Sequence, residues 1–222
     1  MVLIFDLDDT LYPELEYVRS GFLAVANELN NLFKWNVSES YNHMLKTLDE
    51  KGRGVVFNDL LYHHGKLSKK NVKHCVNIYR HHKPNIFLST DVKSVIKYLP
   101  GNKYVVTDGH KIVQGNKVDA LGITSFFKHV YITHRYGIKN SKPSVHCFDL
   151  IKKREKCEWS EMCYIGDNPS KDFVNLKPLG VNTIRIKTEI YDYVEIPNHL
   201  EASIVISNLN EIKFYLNNTK IK

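Results

Sequence analysis

Cysteine is sparse and unpatterned in these 222 residues. Cys75, Cys147, Cys157 and Cys163 form no C-x-x-C pair and show no metal-ligand spacing with histidine, which argues against a disulfide framework or a thiolate metal site. Reduced, mostly buried thiols in a cytoplasmic protein are the expectation. Long apolar runs are missing too. No stretch approaches the roughly 18 apolar residues that a membrane span requires, and no charged segment followed by a long apolar run opens the chain. A membrane partner and export therefore fall outside the expectation. Basic residues exceed acidic ones, 31 against 24 for a net charge of +7, yet the lysines are spread along the sequence and form no block flanked by aromatics. Nucleic acid is accordingly not the expected partner, and attraction of a small anionic substrate accounts for the same sign. Neither an internal repeat nor a low-complexity segment is present. The length suits a core domain with a smaller attachment.

What the chain does have is a first stretch, MVLIFDLDDTLYP, in which four apolar residues run into alternate carboxylates and a threonine. Val2 to Phe5 read as a strand buried on both faces, of the kind found in the centre of a parallel sheet. Asp6, Asp8 and Thr10 follow where that strand ends, at the edge where open α/β sheets bind ligands. The competing reading is an acidic turn into a helix, with Asp9 or Thr10 as N-cap.

From Leu15 to Phe33 apolar residues recur at three- and four-residue steps, which predicts a long helix. A second helix is expected from Ser38, ended by Gly52 and Gly54, and a third from about Ser68 to His82. Residues 14–88 thus read as an all-helical insertion, flanked by an α/β core made of residues 1–13 and 89–222. In that core a helix capped by Thr90 or Asp91 precedes strands at 103–107, 130–133, 162–165, 182–186 and 204–206. Helices are expected at 111–121, around 145–151 and at 209–216. Strands alternating with helices through short connections predict a parallel sheet, Rossmann-like, with helices on both faces.

Polar residues stand at nearly every strand end: Asp6, Asp8 and Thr10, then Thr107, Asp108 and Gly109, then Lys142 in the third loop, and Asp167 with Asp172 after the fourth strand. In a parallel sheet these ends share one edge, so the residues converge. Carboxylates gathered there repel one another unless a cation intervenes. An all-oxygen donor set without histidine or cysteine fits Mg²⁺, which often binds together with substrate phosphate.

D-L-D-D-T at 6–10, the strand-end Thr107, Lys142-Pro143 with Phe148 beyond, and G-D-N-P-S-K-D at 166–172 resemble the four motifs of the haloacid dehalogenase superfamily, in the family's order. The helical insertion resembles that family's C1-type cap. The resemblance implies a phosphatase acting on a small phosphomonoester, a sugar phosphate or nucleoside monophosphate. Asp6 would be the nucleophile that forms an aspartyl-phosphate. Asp8 would be the acid and base, and Lys142 the charge-balancing lysine. Mg²⁺ would be held by Asp6, the Asp8 carbonyl and Asp167, with Asp172 orienting Lys142 or metal-bound water. Leu7, Thr10, Thr107, Asp108 and Gly109 would bind the phosphate. An acid at position 8 favours phosphoester cleavage over the family's dehalogenase chemistry. A phosphomutase of the same fold and a non-catalytic phosphate-binding protein are the alternatives, and a monomer or homodimer is expected. The loop between Gly137 and Lys142 is about two residues longer than the usual family form, which makes Lys139 a rival to Lys142. Tyr12, Glu14, Arg19, Tyr62, His63 and His64 are the candidates for reading the leaving group, each with a structural or solvated role as the commoner alternative.

Overall fold

The computed structural model describes residues 1–189, 191 and 196–218. The chain divides into two compact units, one made of Met1–Pro13 with Phe87–Lys222 and the other of Glu14–Ile86. The second unit closes at Ile86, beyond its last helix, which ends at His81.

In the first unit six strands form one all-parallel sheet. They are β1 (Val2–Phe5), β2 (Asn102–Thr107), β3 (His129–Ile132), β4 (Met162–Gly166), β5 (Asn182–Ile186) and β6 (Ile204–Ile206), in the order β3-β2-β1-β4-β5-β6. The continuous apolar run of β1 is explained by its place: it pairs with β2 on one side and β4 on the other, and all four of its residues are buried. Phe5 is level with Val105 and with Ile165. Asp6, Thr107 and Asp167 consequently leave the sheet within two residues of a common level. Alternate strand residues share a face, and Val2, Ile4, Tyr104, Val106, Met162 and Tyr164 build one apolar core with Phe148, Ile151 and Phe173.

The second unit holds α1 (Glu14–Phe33), α2 (Val37–Lys51), α3 (Val56–His63) and α4 (Lys69–His81). Val18, Phe22, Val25, Ala26 and Leu29 of α1 supply half of its core, closed by Met44, Val56, Leu60, Leu61 and Cys75. Gly21 of α1 lies where a β-carbon would come within 2.5 Å of the Tyr79 ring on α4, so the close crossing of these helices requires glycine. The α/β unit adds α5 (Thr90–Tyr98), α6 (Lys111–Leu121), α7 (His146–Glu155) and α8 (Ile212–Asn218).

Helix starts are where sequence reading erred most. α2 begins one residue earlier than expected because Asn36, not Ser38, accepts a hydrogen bond from the Glu39 amide at 3.1 Å. Ser89 rather than Thr90 or Asp91 caps α5, accepting from Val92. The helix expected from about Ser68 starts at Lys69, with Ser68 as its cap. The final expected helix is split into a short 3₁₀ turn at Leu209–Glu211 and α8. Neither Asp9 nor Thr10 caps a helix, since α1 starts only at Glu14 and both lie in the preceding turn. All four cysteines are free, with Cys75, Cys147 and Cys163 buried. Among the described residues no helix is long and apolar enough to cross a membrane.

Candidate active site

The residue after β1 is the centre of the site. Asp6 continues the sheet for one step, its amide donating to the Ile165 carbonyl at 2.8 Å, and its side chain is buried. Burial pushes its carboxyl up to about 7, with Lys142 opposing the rise and Asp172 adding to it. Lys142 lies far away in sequence, in the loop between β3 and α7. Its ammonium sits 2.9 Å from Asp6 Oδ2 and 2.7 Å from Asp172 Oδ1, and donates to the Tyr164 hydroxyl at 2.9 Å. Burial alone would depress this amine; Asp172 and Asp6 together hold it well above its ordinary value, so it stays charged. Lys139, its rival, is exposed. The chain is fixed here from below: Asp108 Oδ1 accepts from the Lys142 amide at 3.1 Å and from Thr133 Oγ1 at 2.7 Å.

Asp172 is held by three donors. Besides Lys142 it accepts from the Tyr164 hydroxyl at 3.1 Å through Oδ1 and from the Asn168 amide at 2.9 Å through Oδ2. A β-carbon on Gly166 would stand 2.5 Å from Asp172 Oδ2, which explains the glycine at the end of β4. Asp167 is different. It is buried, and burial with Asp6 and Asp172 nearby pushes its carboxyl up to about 8. One carboxylate oxygen each from Asp6, Asp167 and Asp172 lie within 4.8 Å of one another. Three buried carboxylates of this kind, with Asp6 and Asp167 driven toward the neutral acid, fit a divalent cation with oxygen preference.

Asp8 points to other partners. Its Oδ1 accepts from Lys117 Nζ at 2.7 Å and from the Tyr12 hydroxyl at 2.7 Å, and its Oδ2 accepts from Gln114 Nε2 at 2.9 Å. Gln114 also donates to Thr107 Oγ1 at 2.6 Å, which leaves the threonine hydroxyl proton free for another acceptor. Thr10 Oγ1 is buried and has no hydrogen-bond partner among the described residues. Gly109 has φ +135°, and a β-carbon there would crowd the Gln114 side chain at 3.1 Å. The Leu7 side chain is wholly buried, so only its backbone is available to a ligand.

Gln114, Lys117 and Tyr164 were not anticipated from sequence. Gln114 and Lys117 share one face of α6 with Val118 and Leu121, and all four are buried; two polar residues interrupting a core-facing stripe were the available signal. Tyr12, considered as a cap residue that reads the leaving group, instead lies in the α/β unit, buried with its hydroxyl on Asp8. In the helical unit Glu14 is paired with Arg53 at 2.6 Å, His64 stacks on Trp35 and packs against His63, and Tyr62 and Arg19 are exposed.

A parallel α/β sheet with the acids of two strand ends around one buried lysine defines a hydrolase-type site at the carboxyl edge. The chain belongs to the haloacid dehalogenase-like hydrolases, whose family model matches residues 3–186. It is 30% identical to the glyceraldehyde 3-phosphate phosphatase of Methanocaldococcus jannaschii over 98% of this chain and 97% of that one. It is 24% identical to the glyceraldehyde 3-phosphate phosphatase of Pyrococcus furiosus, over 95% and 90% respectively. Among solved structures, a HAD-hydrolase from Bacillus subtilis, described as bound to magnesium, superposes with a TM-score of 0.71 at 18% identity, covering 97% of this chain and 98% of that one.

Proposed function

We propose that this protein is a Mg²⁺-dependent phosphatase that hydrolyses a small phosphomonoester of the sugar-phosphate class through a phosphorylated Asp6. The observation that carries the reading is the Lys142 ammonium held between Asp6 and Asp172 with Asp167 alongside. It gives a buried carboxylate the charge compensation that attack on an anionic phosphate demands. The names of the relatives support the sugar-phosphate class over a nucleoside monophosphate.

Asp6 and Asp167, with the Asp8 carbonyl, would hold the metal, which supplies charge neutralisation at the phosphate when bound. An Asp6 oxygen attacks phosphorus while the bond to the leaving oxygen breaks, and Asp8 gives that oxygen its proton. Water then attacks the phosphoryl group, Asp8 takes the water's proton, and inorganic phosphate departs from Asp6. Thr10 and Thr107, each with an uncommitted hydroxyl proton, and the backbone around Asp108 and Gly109 would receive the phosphate oxygens. Asp172 orients Lys142. The helical unit would act as the C1-type cap.

The test is phosphate release over a panel of sugar phosphates, nucleotides and small acid phosphates, with and without Mg²⁺. Metal-dependent release favouring sugar phosphates, lost in Asp6→Asn, is the expected result. Full Mg²⁺-dependent turnover by Asp6→Asn overturns the mechanism. Isomerised sugar phosphate without free phosphate would mark a mutase instead.

A further inference from the structure

We propose that Lys117 is a positioning residue for Asp8, fixing Oδ2 as the oxygen through which the proton passes. The inference rests on the reading of Asp8 as acid and base. Lys117 lies on the core-facing side of α6, its side chain 2% exposed, and its ammonium meets Asp8 Oδ1 at 2.7 Å. Packing alone does not call for lysine there: Val118 and Leu121 on that face are apolar and Gln114 is uncharged, and a buried ammonium is costly beside an apolar residue of similar volume.

The lone pairs of Asp8 identify the working oxygen. An ionised carboxylate offers about four acceptor sites. Lys117 and Tyr12 take both on Oδ1, while Gln114 takes one on Oδ2. One site on Oδ2 is left to carry the proton. In the first half-reaction that proton goes to the leaving oxygen as its bond to phosphorus breaks, and the carboxylate so formed is matched by the Lys117 ammonium. In the second, the same site receives the proton of the attacking water. Gln114 spans Asp8 and Thr107 with one amide nitrogen, so the proton carrier and a phosphate-binding hydroxyl are held in mutual register.

Such a role shows in leaving-group dependence, which a merely structural lysine would not alter. The experiment compares kcat/KM, which reports the phosphorylation of Asp6, for an alkyl phosphomonoester turned over by the wild type and for 4-nitrophenyl phosphate, whose leaving group departs without protonation. Lys117→Met is expected to lose about 10²-fold on the alkyl ester and at most about threefold on the nitrophenyl ester, with Lys117→Arg recovering most of the alkyl activity. Tyr12→Phe removes one neutral hydrogen bond to the same oxygen and should show the same selectivity at smaller size, which keeps the test open where Lys117→Met does not fold. Equal losses on both esters in the folded variants overturn the inference while leaving the phosphatase reading intact. A wild type that releases no phosphate from any ester defeats both.

Discussion

Lys142 is the residue at which fold stability and the proposed chemistry meet. Its ammonium is the cation that two buried carboxylates share, and removing one partner from a buried ionic group leaves uncompensated charge. Lys142→Met is expected to lower unfolding free energy by about 3–5 kcal/mol, read by urea denaturation, and to lower Mg²⁺-dependent phosphate release by at least about 10²-fold. A variant that kept full turnover would remove Lys142 from the mechanism. At this scale the sequence was most legible where polar residues stand directly at strand ends: Asp6 and Asp167 follow β1 and β4 without a gap, and Thr107 is the last residue of β2. Lys142 was legible through its neighbours Pro143 and Phe148, despite the longer loop. Gln114 and Lys117 were not, because their contacts depend on a helix face turned toward Asp8, more than a hundred residues away in sequence.

Elements are joined by fewer, more local ties. In the helical unit, Asp59 of α3 accepts from three residues of α2: Lys51 at 2.6 Å, His43 at 2.9 Å and Thr47 at 3.1 Å. Hydrogen bonding from Lys51 and then His43 holds its carboxyl down at about 2, against an ordinary 3.8. A depressed acid contributes stability above its unfolded pKa and loses it as pH falls through the folded one. Wild type should therefore be more stable than Asp59→Asn at neutral pH, and the gap should close as pH falls from about 4 toward 2 in acid denaturation followed by circular dichroism. An unchanging gap would show that the tie is not ionic. Helix existence was readable here from apolar periodicity, while helix starts were not. Asn36, Ser38, Ser89, Thr90 and Asp91 are all competent caps, and which one wins is decided by where the preceding turn places the chain.

For the whole molecule, the measure of the site is what a cation does to global stability. A ligand that binds only the folded state raises stability by an amount that grows with the logarithm of its concentration once that exceeds the dissociation constant. Mg²⁺ is expected to raise the thermal midpoint of the wild type by several degrees and that of Asp167→Asn not at all, as calorimetry would record. An equal rise in both proteins would take Asp167 out of the metal site. The alternation of strands and helices made the parallel sheet legible, yet the strand order has a consequence for biosynthesis. β1, four apolar residues long, pairs with β2 about a hundred residues further along and with β4 later still. The ribosome therefore releases a sticky strand whose partners have not been translated. The segment it delivers next, Glu14–Ile86, carries a complete apolar core of its own. The helical unit can thus consolidate on the nascent chain while β1, and the position of Asp6 with it, waits for the rest of the sheet.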